Sequence, residues 1–592
     1  MARPRSKAVL LSAVSLAALA GVGAFGAKVT TERSLTAAAT RAGASIGGVE
    51  ANPIDGRIVL RDLHLAGTNA TVTIGRVSTT GGPALITPAL AAEDVTLENV
   101  TLIFGPFRYI IPRMTVVGSN LDRAGIEALF AANASDTLAN RLTKLSASSL
   151  TIPELKFEQN LTFGEVTTRS TGNYVNLVAR DIINGRAAIL IADGGSYSTT
   201  VRTEAPKPTP GAAPQGNSGS DAPAKAATQD GTTTGTYGAF SVADIDFAFL
   251  TRLYTEGAGT GANPPVQVYG PFKMVDMAMT EANGTKINIA EIFGDGFVAR
   301  LGKKPLLSLV ETLQKLPMDD ANKDKSSFQI IGEAMAMFES IVSGAMTARA
   351  ITVEVTDPDP FKFNVGDFTV GLGTNPTPQK ANAAYPTQGG MRFAVNDIAL
   401  AIPPDADNDF AKRLTAMGYK DLSLSFAIEG KLNEAGKELV INEFSFGGKD
   451  MGRATISGVV GNVTPELLSS EEAVRNAAGM ALTVKNLAVT VDNAGLADKL
   501  LAEEAAKQNK SPDALKTEYG MIATVGVPSF LGGSAESKAL GAAVARFIAK
   551  PGQIAVKAAA KDPAGFGLAD YGATGGQPAA ILEQIDLSAE AK

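Results

Sequence analysis

Eight times along this chain the same spacing returns: apolar, any, apolar, any, Asp/Asn/Glu, apolar, any, apolar. In VTLENVTL, Val95 and Leu97 precede Asn99, and Val100 and Leu102 follow it. The other copies, with Val, Ile, Leu or Phe at all four apolar places, begin at Ile58, Leu150, Phe240, Phe363, Phe393, Leu439 and Leu482. With those four residue types at roughly a quarter of positions and Asp, Asn and Glu at roughly a sixth, chance supplies well under one match, so the recurrence reflects architecture.

A strand that ran straight through this pattern would send its first two apolar side chains to one face and its last two to the other. A β-bulge or a tight bend at the polar fifth place restores the phase. Asp and Asn suit either device because they tolerate left-handed backbone and bond locally to it. All four apolar side chains then share one face, while Thr96, Thr101, Ser241, Asp246 and Thr483 take the other. The expected fold class is α+β and β-dominated: an extended antiparallel sheet with one apolar face, partly covered by inserted amphipathic helices.

The chain has 592 residues, 45% hydrophobic and 19% charged, with a net charge of −7. An acidic balance without a basic cluster in the body argues against nucleic acid as a partner. Cysteine is absent, which excludes disulfides and Cys-ligated zinc. At the start, Arg3, Arg5 and Lys7 precede an uncharged run from Ala8 to Ala27. Such a run is about long enough to span a bilayer core, and its basic flank would leave the start in the cytoplasm and the body beyond the membrane. A retained single-pass signal anchor and a cleaved signal peptide ending near Ala18-Leu19-Ala20 are both compatible with residues 1–27.

Residues 28–202 read as a β-rich region containing a helical pair near 121–131 and 136–146. Residues 203–235, rich in Pro, Ala, Gly, Ser and Thr, are expected to be disordered, either as a loop within one sheet or as an interdomain linker. Residues 236–592 read as β-rich with inserted helices, the mix shifting towards helix directly after the tract. Helices are expected near 246–256, 304–316 and 328–348, at starts such as Thr464-Pro465 and Ser511-Pro512, and over 535–549. The uneven spacing of the pattern copies disfavours a solenoid of fixed period.

A basic start, one N-terminal apolar run and many strands such as IVLRDLHL (Ile58 to Leu65), VTLENVTL and FAVNDIAL (Phe393 to Leu400) together resemble the AsmA-like superfamily, which includes the TamB-type proteins of bacterial envelopes. The resemblance implies a long β-groove with an apolar interior that projects from the inner membrane and handles phospholipid, without catalysis. The helix-rich stretches 300–348 and 464–550 depart from a continuous groove.

The chemistry-bearing candidates have plainer readings. His64 is the only histidine, which excludes a multi-histidine metal site, and it alternates away from Leu63 and Leu65 as a surface strand residue. Gly43 to Gly47 matches G-x-S-x-G, but His64 follows too soon for the sheet that a nucleophile elbow requires. Asp405 to Asp409 begins like a calcium loop, yet Phe410 stands at the glycine place and Ala416 at the twelfth. An acidic helix start is the better account. Gly257 to Gly261 leads into Asn263-Pro264-Pro265 and reads as a loop, not a phosphate cradle. The chain is therefore expected to be non-enzymatic, without a metal or cofactor. It is expected to bind or transfer lipid along its apolar sheet face, at Leu63, Leu65, Val95, Leu97, Val100, Leu102, Phe393, Val395, Ile398 and Leu400. The alternative is a structural or assembly factor of the envelope, with other envelope proteins as partners and its apolar face closed into an ordinary core.

Overall fold

A computed structural model describes residues 44–592 apart from 52–57, 67–69, 81–93, 121–136, 164–165, 204–230, 315–339, 357–359, 374–389, 404–407, 434 and 470. The chain divides into two compact units, Met1–Ile341 with Thr356–Pro358, and Val342–Val355 with Asp359–Lys592. Both are built on antiparallel sheet, so the α+β, β-dominated class holds.

In unit 1 two short strands, β1 (Ala44–Ser45) and β2 (Gly48–Ala51), both pair with β3 (Ile58–Ala66). A meander of long strands follows: β4 (Ala70–Thr80), β5 (Asp94–Phe104), β6 (Phe107–Val117), β7 (Ala147–Phe163), β8 (Val166–Ile183) and β9 (Arg186–Ala192). Next come β10 (Gly194–Thr203), β11 (Gly231–Tyr237), β12 (Phe240–Asp246), β13 (Val266–Tyr269), β14 (Phe272–Thr280), β15 (Lys286–Gly294) and β16 (Phe297–Ala299). β10 and β11 pair with each other, while the polar tract between them, 204–230, lies outside the described residues.

The phase reset expected at the fifth place is present, and it takes two forms. At Asp62, Asn99, Asp244 and Asp397 the backbone is left-handed, with φ between 53° and 57°. Glu98 and Asn99 then both turn outward, and Leu97 and Val100 both turn inward and are buried. Neighbouring strands yield at the same level. The β3–β4, β4–β5 and β5–β6 ladders keep their register while Asp62, Gly75, Asn99 and Pro112 form one crease across four strands. Gly75 fits because a Cβ there would lie 3.1 Å from Asn99 Cβ. The second form is a true bulge with a shift of register, and it belongs to unit 2.

Unit 2 carries β17 (Ile341–Val355), β18 (Phe361–Gly373), β19 (Gly390–Ala401), β20 (Asp421–Asn433), β21 (Glu438–Gly448), β22 (Gly452–Gly461), β23 (Thr483–Asn493), β24 (Gln553–Ala560), β25 (Phe566–Gly567) and β26 (Ile585–Ala591). Register shifts fall between Val395 and Ile398, Ile441 and Phe444, and Val459 and Val460 opposite Lys485. These are the hinges of the copies that begin at Phe393, Leu439 and Leu482.

Helices start where capping chemistry permits. Of the pair expected near 121–131 and 136–146, the first lies outside the described residues and the second is the short α1 (Leu138–Leu142). In α2 (Phe247–Thr255) the Asp246 carboxylate accepts from Phe249 N at 2.8 Å, and Phe249 and Leu253 bury against Val268 and Ala299. α3 (Leu306–Gln314) follows, then α4 (Asp409–Ala416), capped by Asn408 with Asp409 in its first turn, while Asp405 to Asp407 lie outside the described residues. The start expected at Thr464-Pro465 yields only one tight turn, Pro465–Leu468. α5 (Glu472–Met480) and α6 (Leu496–Lys507) precede α7 (Pro512–Phe530), capped by Ser511, and α8 (Ala535–Ala549), capped by Ser534. α8 packs on β24 and β26. Two short helices, α9 (Leu568–Ala573) and α10 (Pro578–Gln584), lead into β26.

Two expectations are corrected. The helix expected over 328–348 falls partly outside the described residues, and from Ile341 the chain is strand. Its β-branched residues Ile341, Val342, Thr347, Ile351, Thr352, Val353 and Val355 fit a pleat paired with β18 better than a helix. The stretch from 266 to 294, for which no element was expected within the β-rich region 236–592, adds β13, β14 and β15. The membrane anchor, and the single-pass inner-membrane location with a periplasmic body inferred from it, is likewise corrected. Among the described residues no helix is long and apolar enough to cross a membrane. The longest, α7, has 19 residues and includes Asp513, Lys516, Glu518 and Pro528, whereas a span needs about 20 predominantly apolar residues. The run Ala8 to Ala27 lies outside the described residues.

Candidate functional site

The ten apolar residues expected to line a ligand surface divide into two settings. In unit 1, Leu63, Val95, Leu97 and Val100 are at most 4% exposed and Leu102 packs beside them. They join Leu60, Val72, Ile74, Val77 and Ile111 in one cluster, a closed core. Each buried side chain of that cluster contributes about 1.5–3 kcal/mol by leaving water, and that contribution goes to stability, because no ligand can reach it. Leu65 stands opposite Val72 in the β3–β4 ladder.

In unit 2 the same pattern builds a face that stays half open. Phe393, Val395, Ile398 and Leu400 share one side of β19, and Phe393, Ile398 and Leu400 are intermediate in exposure. Directly across on β18 lie Val370, Phe368, Val365 and Phe363, and on β20 lie Ile428, Phe426, Leu424 and Leu422. Ring contacts run along this face over four neighbouring strands. Phe368 and Phe393 have centroids 5.2 Å apart, Phe393 and Phe426 6.2 Å, and Phe426 and Phe444 5.5 Å, all edge to face. Further out the face is exposed: Phe361 at 52%, Met391 at 53%, Phe444 at 41% and Phe446 at 55%. A soluble monomer rarely exposes so many large apolar side chains together.

The opposite side of these strands is polar or small. Arg392 donates to Glu429 at 2.6 Å and to Glu443 at 3.3 Å, and Asn442 donates to Glu429 at 3.2 Å. The Thr347 and Thr369 hydroxyls pair at 3.0 Å, and Ala394, Ala427 and Ser445 are buried. Every charge in this network is partnered, so its chemistry is structural. A second apolar surface lies on the α7–α8 hairpin, where Met521, Ile522, Val525 and Phe530 are exposed beside a groove of about 680 Å³ lined by Tyr519, Ala523, Val527 and Ile548.

The motifs set aside on sequence grounds keep their plainer readings. Ala44 and Ser45 lie in β1 and strand β2 follows, so no strand-to-helix elbow forms there. His64 Nδ1 lies 3.5 Å from the Thr73 hydroxyl across the exposed face of β3 and β4. Residues 257–261 are a loop. Among the described residues no group of three His, Cys, Asp or Glu side chains could hold a metal ion.

Phe361, Phe426, Phe444 and Phe446 belong to the open face but were not among the ten expected residues. Phe444 and Phe446 were within reach, since they fill the last two apolar places of the copy at Leu439. Phe426 sits in an uninterrupted alternation, Leu422, Leu424, Phe426, Ile428, which carries no hinge and so does not match the eight-residue spacing. A family model described as "Uncharacterized protein" matches residues 445–592, from within β21 through β26. No curated protein matches the chain.

Proposed function

We propose that the apolar face of unit 2 binds the acyl chains of lipid and that the protein is a binding or transfer module, not an enzyme. The observation that carries this reading is the row of phenylalanines from Phe368 to Phe444, flanked by exposed Phe361, Met391 and Phe446, on a sheet whose reverse side is a satisfied polar network. About ten methylenes laid along such a face would gain on the order of 8 kcal/mol, from which the cost of association is subtracted. Against an association cost of about 4 kcal/mol or more, ten methylenes give at best millimolar binding, and a full acyl chain of about sixteen, on the order of 13 kcal/mol, reaches micromolar without a polar anchor. The likeness of the strand pattern to the AsmA-like superfamily points the same way.

Lipid extracted from the purified full chain and analysed by mass spectrometry tests the reading. The double variant Met391→Lys/Phe446→Lys places two charges at exposed positions, so the fold survives. We expect wild-type protein to carry phospholipid or fatty acid and the double variant to lose most of it. A lipid-free wild-type preparation that also takes up no added fatty acid would leave the structural reading, which the closed core of unit 1 already favours for that half.

A further inference from the structure

We propose that β26 pairs edge to edge with β26 of a second copy of this chain, making a two-fold dimer in which the unit 2 sheet continues from one copy into the other. Among the described residues β26 has a strand partner on one side only, β24. Exposed sheet edges in monomers are usually shortened, bulged, charged, broken by proline, or covered by a helix or loop. The β1–β2 edge of unit 1 is shortened, being two pieces of 2 and 4 residues. β26 carries Asp586 and Glu590, and α8 packs against it, on the face of the half-buried Ile585, Leu587, Ala589 and Ala591. Yet it runs 7 residues in unbroken register with β24, has no proline or bulge, and points Asp586, Ser588 and Glu590 outward in regular alternation.

The backbone geometry identifies which groups are unsatisfied. Lys561 N donates to Gln584 O at 3.0 Å, and Lys592 and Gln553 exchange bonds of 2.9 and 3.0 Å. Even-numbered residues therefore address β24, and alternation turns the N–H and C=O groups of Ile585, Leu587, Ala589 and Ala591 to the open side. Charge then selects the register. Antiparallel pairing centred on Ser588 would set Asp586 opposite Glu590 of the second copy, like against like. Centring on Ala589 sets Asp586 opposite Lys592, Ser588 opposite Glu590, and Leu587 opposite Ala591, and it forms about six backbone hydrogen bonds. Within one chain Lys592 reaches only Glu590, at 3.8 Å with both side chains more than half exposed, so it is available for a better partner.

Sedimentation or light scattering on the full chain at tens of micromolar tests this. Ala589→Pro removes an N–H that points away from β24, so the fold is retained while pairing is blocked. Asp586→Lys sets like charges against each other, and Asp586→Lys/Lys592→Asp restores the match. We expect wild type to have the mass of two chains, Ala589→Pro the mass of one, Asp586→Lys a dissociation constant raised about tenfold or more, and the swapped double variant a recovered dimer. A wild-type monomer, or a dimer indifferent to Ala589→Pro, overturns the proposal. A dimer broken by Ala589→Pro but indifferent to Asp586→Lys overturns the register. None of these readouts depends on lipid.

Discussion

At Asp62, Asn99, Asp244 and Asp397 a single left-handed residue decides on which side of its strand the apolar residues lie. Among the described non-glycine residues with positive φ, all but Ala350 and Lys437 are Asp or Asn, the types that tolerate left-handed backbone at least cost. Ala350, at φ 52°, holds the crease opposite Gly366 and has no polar side chain to bond locally in compensation. Ala350→Asn should raise the melting temperature, by about 1 kcal/mol of stability, and Asn99→Ala should lower it by a similar amount. Both are read by thermal denaturation, and a null or reversed pair of shifts would mean that the crease is not set by left-handed backbone. At Asp244 the crease also carries charge: Arg186 Nε and Nη2 donate to its carboxylate at 2.6 and 2.9 Å and hold it below the usual carboxylate range. A carboxylate depressed on folding stabilises above its unfolded pKa, and that contribution fades as pH falls through the lower folded value. Asp244→Asn keeps the left-handed preference and removes the charge. Its melting temperature should lie below wild type near neutral pH and converge on it only as pH falls through the lowered folded value, by a modest amount because the side chain is half exposed.

At the scale of elements, what could be read from sequence was what local chemistry dictates. Ser511-Pro512 starts α7 and α8 forms over 535–549 as expected, and four of the six fifth-place Asp and Asn residues, Asp62, Asn99, Asp244 and Asp397, take the left-handed backbone expected of them. What escaped was set by tertiary pairing. Phe272–Thr280, with three Met and a central Asp276, has no strong strand preference of its own, and β11, β12 and β15 hold it extended. The α7–α8 hairpin depends on a close approach that spacing alone could not reveal. A Cβ at Gly541 would lie 2.7 Å from the Ala523 carbonyl and 3.0 Å from Pro528. Gly541→Leu should part the two helices, cost about 1–3 kcal/mol and raise amide exchange in α7 before exchange in β19 to β22. Uniform loss of protection throughout unit 2 would show that the hairpin is not a separable element.

For the whole molecule, one sequence pattern serves two ends. In unit 1 it closes into a core with Leu60, Leu63 and Val72 fully buried, and in unit 2 it leaves Phe361, Phe444 and Phe446 facing solvent. The motif specifies which side of a strand is apolar, but what covers that side is decided by the chain folded around it. That is why the sequence foretold an apolar face without foretelling where it stays open. Labelling with a diazirine fatty acid, followed by peptide mapping of the adducts, tests the account most directly. Adducts should concentrate at Met391, Phe393, Phe426, Phe444 and Phe446. They should spare Lys362 and Arg453 on the opposite side of the sheet, and the buried cluster of Leu63, Leu97 and Val100 in unit 1. Labelling spread evenly over both sides of unit 2, or absent from those phenylalanines, would contradict it.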